Sequence, residues 1–177
     1  MVFIVILLFL LFIWFLVRKE KQNKSINRHK LDLPPNQKDA YHQGYYAPRY
    51  PKKYHGDISG IFFRSNWELI AFQWCDLNYG VVAWASEELA IPYRMKGIWY
   101  EREYYPDLLI YFKSGETVMI EIKPNDQKIN PNYENRCKWA AARAYCNDRG
   151  WAFRIWNEAT IEKLRPNVKK WKSQKRR

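Results

Sequence analysis

Residues 105–123 read YPDLLIYFKSGETVMIEIK, and this stretch decides the fold. Two runs of β-forming residues flank residues 113–116, whose Gly115 supplies the freedom that hairpin turns need. Side chains on a strand alternate between two faces with a period of two. The even positions of both runs are all apolar: Leu108, Ile110, Phe112, Val118, Ile120 and Ile122. This alternation predicts a β-hairpin with one face buried in a core.

Three charged residues of the hairpin, Asp107, Glu121 and Lys123, all lie at odd positions. They share the second face if the turn has an odd number of residues. A three-residue loop with Gly115 near the left-handed conformation places Asp107 across from Glu121 or Lys123. A two-residue loop would instead turn the apolar residues of the two strands to opposite faces, so burial favours the odd loop.

Two carboxylates and a lysine on one face fit hydrolysis of a phosphodiester, in which Mg²⁺ binds carboxylates and phosphate oxygens. Asp107 and Glu121 would hold the metal, and Lys123 would orient or deprotonate the attacking water and neutralise developing charge. On spacing alone, an ordinary hairpin with a solvated charged face is the commoner explanation. The odd face also carries apolar residues, so we expect another element to cover it, with the acids at one end. These residues are Leu109, Tyr111 and Met119.

A third carboxylate, Glu68, lies near the start of an amphipathic helix that we predict from Asn66 to Leu77. Ser65 precedes Glu68 by three residues, which is the spacing of a capping box. In that motif the hydroxyl and the carboxylate each satisfy a backbone N–H of the first turn. Glu68 therefore has a structural explanation beside a catalytic one, and the two roles are difficult to combine.

The remaining pattern alternates strands and helices. Strands are predicted at residues 81–85, 88–93, 99–105 and 151–156, and helices at 134–147 and 159–164. On the longer helix we expect a buried apolar stripe that lets the helix lie close to a sheet. The stripe consists of Cys137, Ala140, Ala141, Ala144 and Tyr145.

Several separated motifs occur in a familiar order along the chain. They are Arg64-Ser65-Asn66-Trp67-Glu68, Ala83-Trp84-Ala85-Ser86-Glu87, Ile91-Pro92-Tyr93, Pro106-Asp107, Glu121-Ile122-Lys123-Pro124 and the tract from Lys138-Trp139 to Phe153-Arg154-Ile155. Through these motifs residues 55–164 resemble the head-completion nucleases of large contractile-tailed phages, within the PD-(D/E)XK nuclease superfamily. The endonuclease subunit of a two-subunit transposase is similar more distantly.

The resemblance implies an α/β fold with an αβββαβ core, in which a mixed central sheet is flanked by helices. It implies a Mg²⁺-dependent DNase, with Mn²⁺ as an alternative ion. Glu68, Asp107 and Glu121 would bind the metal, and Lys123 would be the catalytic lysine. Glu87 is favoured over its neighbour Glu88 only by the resemblance, a surface charge being the alternative.

The implied role is virion assembly, in which packaged DNA is trimmed or processed so that a filled head accepts its tail. Double-stranded DNA and phage head, portal or neck proteins are the expected partners, in the host cytoplasm and the virion. Two other functions stay open: a structural DNA-binding protein of the portal or neck with a vestigial site, and a restriction or repair endonuclease of the same superfamily.

The charge of the chain favours a polyanionic partner, since Lys+Arg 30 exceed Asp+Glu 18 for a net charge of +12. Arg64 lies beside a helix N-terminus, itself an anion site, and we expect it to contact phosphate. Arg136, Lys138 and Arg143 lie on one predicted helix and could reach DNA beside the acids. A solvated helix face explains each of these three equally well.

Four segments are expected. Residues 1–17, from Met1 to Val17, are uncharged and apolar, which predicts a membrane anchor with the rest of the chain on the cytoplasmic side. A translation start placed too far upstream, and a fusion or a lipid-associated assembly site, are the alternatives. Residues 18–54 form a basic, aromatic arm or linker, residues 55–166 the nuclease domain and residues 167–177 a basic tail. The arm carries tyrosines that could stack on DNA or pack against a virion partner. They are Tyr41, Tyr45, Tyr46, Tyr50 and Tyr54.

Overall fold

A computed structural model describes residues 43–173 of the chain, except the side chains of residue 166 and residues 168–173. The strands are β1 (Gly44–Tyr45), β2 (Phe62–Phe63), β3 (Val81–Ala85), β4 (Ile91–Tyr93), β5 (Arg102–Tyr104), β6 (Leu108–Phe112), β7 (Thr117–Ile122) and β8 (Ala152–Trp156). The helices are α1 (Asn66–Leu77), α2 (Asn125–Ile129), α3 (Tyr133–Asn147) and α4 (Glu158–Ser173). The chain therefore alternates helices and strands, as the sequence pattern predicts.

The central sheet has the strand order β3-β6-β7-β8. Strands β3, β6 and β7 pair antiparallel, whereas β8 joins β7 in parallel after the crossover through α3. The order α1, β3, β6, β7, α3, β8 is the expected αβββαβ core with a mixed sheet, so the predicted fold class is confirmed. The pair β4–β5 is a separate antiparallel hairpin inserted between β3 and β6.

The even face of the β6–β7 hairpin is buried, as its apolar alternation predicts. Helices α1 and α4 cover this face, and they pack on each other as well as on the sheet. Ala71 and Phe72 of α1 and Ile161 of α4 meet Leu108 and Ile120 of the sheet, all of them fully buried. Burying such side chains is the dominant favourable term in folding, at about 1.5–3 kcal/mol for each large apolar group.

Helix α3 and the β4–β5 hairpin cover the odd face, so the expected covering element is present. Ala142 and Cys146 of α3 pack on Leu109 and Met119 of the sheet. The expected stripe on this helix is partly wrong, because Ala140 and Ala144 are exposed. The buried residues of the helix are Trp139, Ala142 and Cys146. The indole of Trp139 offers far more apolar surface to bury than a methyl group does, and it sets the rotation of the helix.

Residues 43–54 contribute to the core, although their composition predicts that they belong to the arm. The rings of Tyr46 and Tyr54 lie against the buried Trp84, with centroids 6.0 and 4.8 Å from it. Tyr45 and Tyr50 are exposed, and Tyr41 lies outside the described residues. This segment of the expected arm is thus packed on the domain by aromatic side chains.

Two polar groups fasten the same segment to the end of α1. Asp76 is fully buried, and it accepts hydrogen bonds from the Tyr46 hydroxyl and from the backbone N–H groups of Arg49 and Tyr50. Nζ of Lys53 donates to three backbone carbonyl groups at the helix C-terminus, at 2.8–3.0 Å. These carbonyls have no partner within a helix, so the lysine satisfies them.

Helix α4 is longer than its sequence pattern predicts, since it runs from Glu158 to Ser173 rather than over residues 159–164. It continues past residue 166, where we expected the domain to end. No helix in the described part of the chain is long and apolar enough to cross a membrane. The apolar run of residues 1–17, the basic residues that follow it and residues 174–177 lie outside the described residues.

Candidate active site

The turn of the β6–β7 hairpin fixes which side chains face each other. Phe112 N–H donates to the carbonyl of Glu116 at 2.9 Å, which leaves residues 113–115 as the loop. Gly115 has φ of 89°, in the left-handed region that favours glycine. The predicted three-residue loop is confirmed. The last pair of the ladder is Leu108 with Ile120, so Asp107 and Glu121 follow as neighbours on the odd face.

Asp107 lies where the ladder ends, and its side chain closes the hairpin. Its Oδ2 accepts a 2.6 Å hydrogen bond from the backbone N–H of Ile122. Burial raises the pKa of Asp107 well above its ordinary value, and the Glu121 carboxylate raises it further, while Lys123 and the Ile122 N–H oppose the shift. The arrangement thus gathers more negative charge than its own partners neutralise.

Glu121 is almost fully buried, at 3% exposure, and both of its oxygens have partners. Oε2 accepts a 2.5 Å hydrogen bond from the hydroxyl of Tyr104, and Oε1 lies 3.0 Å from Nζ of Lys123. Tyr104 is itself buried, and both Glu121 and Asp107 contribute, after burial, to raising the pKa of its hydroxyl. The sequence analysis missed Tyr104, because it lies on a different strand and no short spacing connects it to Glu121.

Lys123 follows the last residue of β7, and its backbone N–H donates to the carbonyl of Trp156. Burial acts to lower the pKa of Lys123, but Glu121, Asp107 and Glu68 outweigh it and raise the pKa above its ordinary value. Lys123 is therefore an ammonium group at neutral pH in this arrangement. It is suited to orient a nucleophile and to neutralise charge.

Glu68 forms a close variant of the capping box that its spacing from Ser65 predicts, because its carboxylate reaches the N–H of Arg64 rather than that of the N-cap Ser65. Its Oε1 accepts from the Ser65 hydroxyl at 2.9 Å, its Oε2 accepts from Arg64 N–H at 2.7 Å, and its own N–H donates to Ser65 Oγ. Burial raises the pKa of Glu68 against these bonds. Glu68 also acts electrostatically on Asp107 and Lys123, so it lies near them while its oxygens serve the helix start.

Asp107 and Glu121 are the carboxylates best placed to hold a cation. Among residues 43–173, no three His, Cys, Asp or Glu side chains converge as a metal-binding group. The pair nevertheless fits a hard divalent ion, because its donors are carboxylate oxygens, and burial followed by the charge of Glu121 raises the pKa of Asp107. Such an ion would relieve the repulsion that the lysine relieves only in part.

Of the four cations expected to contact DNA, the structure places Arg64 beside the acids. Its guanidinium pairs with Glu87 and feels the charges of Glu68 and Asp107. Glu87 has φ of 55° and donates its N–H to the carbonyl of Pro106. Glu87 is thus the one of the two adjacent glutamates that belongs to this end of the sheet.

The other three expected DNA contacts lie on α3 and have local partners. Lys138 pairs with Glu134 at 2.7 Å. The Arg136 guanidinium lies over the ring of Tyr133, and the Arg143 guanidinium lies over the ring of Phe153 in β8. Within the described residues, no hydrogen bond or ion pair connects them to Asp107, Glu121 or Lys123. Arg136 and Arg143 lie seven residues apart and so share one face of α3, whereas Lys138 lies on a different face.

Comparison with known proteins agrees with this fold. Residues 78–158 match the family model described as TnsA-like endonuclease N terminal, a domain of the PD-(D/E)XK type. The matched segment contains Asp107, Glu121 and Lys123 and excludes Glu68. The αβββαβ fold, together with this match to an endonuclease domain, identifies the chain as a nuclease.

A second comparison identifies the family of nucleases to which the chain belongs. The chain is 33% identical over 143 residues to the head completion nuclease of Enterobacteria phage T4, in an alignment that covers 70% of this chain and 95% of that protein. The chain belongs to the head completion nuclease family.

Proposed function

We propose that this nuclease is a Mg²⁺-dependent DNase that processes packaged DNA during phage head completion, before head and tail join. The hairpin register carries the proposal, because it places Asp107 beside Glu121 with Lys123 at 3.0 Å from the second carboxylate. Mn²⁺ would serve as an alternative ion, since it takes the same oxygen ligands. The name of the phage T4 relative supports the assembly role.

Each residue of the site has a role in this proposal. A bound Mg²⁺ would supply Lewis acidity toward the phosphate and lower the pKa of a water molecule. Asp107 and Glu121 would hold the ion. Lys123, held as an ammonium by Glu121, would orient the attacking water and neutralise charge on the phosphate. Glu68 would become a third ligand only by exchanging a capping bond, so we assign it chiefly to anchoring the start of α1.

Double-stranded DNA is the proposed substrate, and the net charge of +12 supports it. Arg64 would contact the phosphate nearest the acids, and the cations of α3 would contact the backbone further away. They are Arg136, Lys138 and Arg143. We place the protein in the host cytoplasm and the virion, with head, portal or neck proteins as partners. Attachment to a membrane through residues 1–17 stays a separate proposal.

Cleavage of linear and supercoiled DNA by the full chain, in Mg²⁺ or in EDTA, tests the proposal. We expect cutting in Mg²⁺ alone, and a loss of about 100-fold or more in Asp107→Ala and Lys123→Ala. Lys163→Ala is the matched control, since Lys163 is exposed on α4, across the sheet from the site. Circular dichroism establishes that each variant is folded.

The result separates the nuclease from a structural protein with a vestigial site. Cutting that persists in folded Asp107→Ala, or that resists EDTA, would contradict the proposed metal chemistry. Virions that assemble normally with Asp107→Ala would contradict the proposed role of cleavage in head completion.

A further inference from the structure

A cavity of about 210 Å³ lies on the odd face of the sheet, next to the acids. Leu109 and Tyr111 of β6 contribute to its lining, and they stand two and four residues beyond Asp107 on the same strand face. Pro106, which immediately precedes Asp107, lines the end toward the site. A group bound in this cavity would therefore lie close to a group bound at the carboxylates.

The walls of the cavity are aromatic. The rings of His55 and Tyr111 have centroids 5.5 Å apart, and those of Tyr111 and Trp151 lie 6.4 Å apart at a steep angle. Leu109 and Pro106 add an apolar floor. Planar ligands stack on such rings, and nucleobases do so irrespective of sequence because every base has a π-face.

One wall of the cavity also carries a carboxylate held in a fixed position. Glu88 Oε1 accepts hydrogen bonds from the Tyr54 hydroxyl at 3.1 Å and from Asp57 N–H at 3.0 Å. The backbone leaves room for this carboxylate at Gly56, whose φ is 146°, and a Cβ there would lie 2.1 Å from Oε1. The chain is thus shaped around the acid, although the proposed hydrolysis makes no use of it.

The charge of the cavity selects the ligand. A phosphate would be repelled by Glu88, whereas the charge of Glu87, which also lines the cavity, is compensated by Arg64. The amino groups of adenine, cytosine and guanine are uncharged, and they can donate hydrogen bonds to a carboxylate. An aromatic cavity with a fixed acceptor therefore fits the base of a nucleotide rather than its phosphate.

We propose that this cavity binds an unpaired nucleobase adjacent to the phosphate at the carboxylates. The inference rests on the proposed DNase function and refines its substrate. A paired base must leave its duplex to enter the cavity, which is least costly at a frayed end, a gap or a single strand. The enzyme then prefers DNA with an unpaired nucleotide at the cutting position over a continuous duplex.

Abasic substitution, combined with a cavity variant, tests the proposal. Oligonucleotides of one sequence carry an abasic site at successive positions around the cut, and kcat/KM is measured in Mg²⁺. We expect abasic substitution at one position to lower wild-type kcat/KM by about 10-fold, within the range of about 5–150-fold that base stacking supplies. The same substitution should leave Tyr111→Ala unaffected, because the stacking surface is already lost.

Two controls keep the result decisive. Tyr79→Ala removes a ring that is 82% exposed at the turn before β3, away from the cavity, and it should behave as the wild type does. Trp151→Leu provides a second cavity variant should Tyr111→Ala not fold. Equal kcat/KM at every abasic position in the wild type, or an equal abasic effect in folded cavity variants, would overturn the proposal.

Binding measured without cleavage distinguishes failure of the cavity proposal from failure of the DNase proposal. Single-stranded DNA with 2-aminopurine at successive positions is titrated with wild type and with the cavity variants in Ca²⁺. A fluorescence change confined to one position, and abolished in Tyr111→Ala, supports the cavity even if no DNA is cut. A change that is the same at all positions, or that persists in folded Tyr111→Ala, contradicts it.

Discussion

The hydroxyl of Tyr104 donates a 2.5 Å hydrogen bond to Oε2 of Glu121, in the interior of the domain. Tyr104 ends β5, so the inserted β4–β5 hairpin reaches the acids through this one side chain. Lys123 lies 3.0 Å from the other oxygen of the same carboxylate. Glu121 is thereby held between a neutral donor and a cation, which fixes the orientation of its carboxylate plane.

Tyr104→Phe should weaken the nuclease without unfolding it. The change leaves a buried carboxylate oxygen without a donor, at a cost of about 1–3 kcal/mol in the free energy of unfolding. Loss of a group that orients a metal ligand commonly lowers metal affinity or activity about 10–100-fold. A Mg²⁺ titration of the cleavage rate measures the change in metal affinity and the change in activity.

The neighbouring residue supplies the control for this change. Tyr105 donates to Glu103 at the surface, so Tyr105→Phe removes a comparable hydroxyl away from Glu121. Equal Mg²⁺ dependence in Tyr104→Phe, Tyr105→Phe and wild type would show that Tyr104 has no part in positioning Glu121.

Asp107→Asn should stabilise the metal-free protein. Burial and Glu121 raise the pKa of Asp107 in the folded state, so the folded protein holds this proton more tightly than the unfolded chain. The contribution of Asp107 to stability is then present below the unfolded pKa of about 3.9 and is lost as pH rises through the folded pKa. In EDTA at pH 7.5 the variant should melt at a higher temperature than wild type, and the difference should disappear at acidic pH.

Mg²⁺ should raise the melting temperature of wild type more than that of Asp107→Asn. A ligand that binds only the folded state raises the melting temperature, so wild type should gain stability in Mg²⁺ and Asp107→Asn should gain little. An exposed acid, Asp148 at the end of α3, gives the matched control Asp148→Asn. Identical melting of wild type and Asp107→Asn in EDTA at both pH values would contradict the electrostatic account.

Gly56→Ala should destabilise the domain more than Gly97→Ala does. Both glycines have positive φ, but a Cβ at Gly56 meets the Glu88 carboxylate at 2.1 Å, whereas nothing lies within 4 Å of a Cβ at Gly97. Backbone strain at each site costs of order 1–3 kcal/mol, and Gly56→Ala adds the displaced carboxylate and its two hydrogen bonds. Urea unfolding of both variants measures the difference, and equal losses would exclude the contact with Glu88 as a cause.

Asp76→Ala should be among the most damaging single changes in the domain. It leaves the Tyr46 hydroxyl and two backbone N–H groups buried without their acceptor, at a combined cost of about 3 kcal/mol or more. Thermal unfolding should show a large fall in melting temperature, and proteolysis should cut first within residues 43–54. A melting temperature close to that of wild type would mean that this segment contributes little to stability.

The hairpin could be predicted from sequence because two independent local rules agree on it. The alternation of apolar residues fixes which face is buried and favours a three-residue loop, and Gly115 supplies the left-handed conformation that such a loop needs. The Ser65 and Glu68 capping box was equally readable, since all its bonds lie within four residues. Such features depend on neighbours in the chain, which a sequence displays directly.

The features that were missed depend on contacts between distant segments. Tyr104 and Glu121 are 17 residues apart and no periodicity connects them. Tyr46 and Tyr54 were placed in an arm because the surrounding residues disfavour regular structure, yet aromatic rings can fill a core from an irregular segment. On α3 the predicted stripe includes Ala140 and Ala144, whose methyl groups offer little surface, and the larger Trp139 decides which face is buried.

The alternation of side chains along β6 and β7 determines both which residues enter the core and which acids are neighbours. A one-residue shift in the pairing of β6 with β7 would turn Asp107 away from Glu121, and the same shift would carry Leu108 and Ile110 out of the interior. The protein therefore cannot keep its packing while misaligning these acids, nor keep the acids aligned on a misfolded hairpin. DNA cutting by any variant of this turn thus reports, without a separate probe, that the hairpin has folded in its native register.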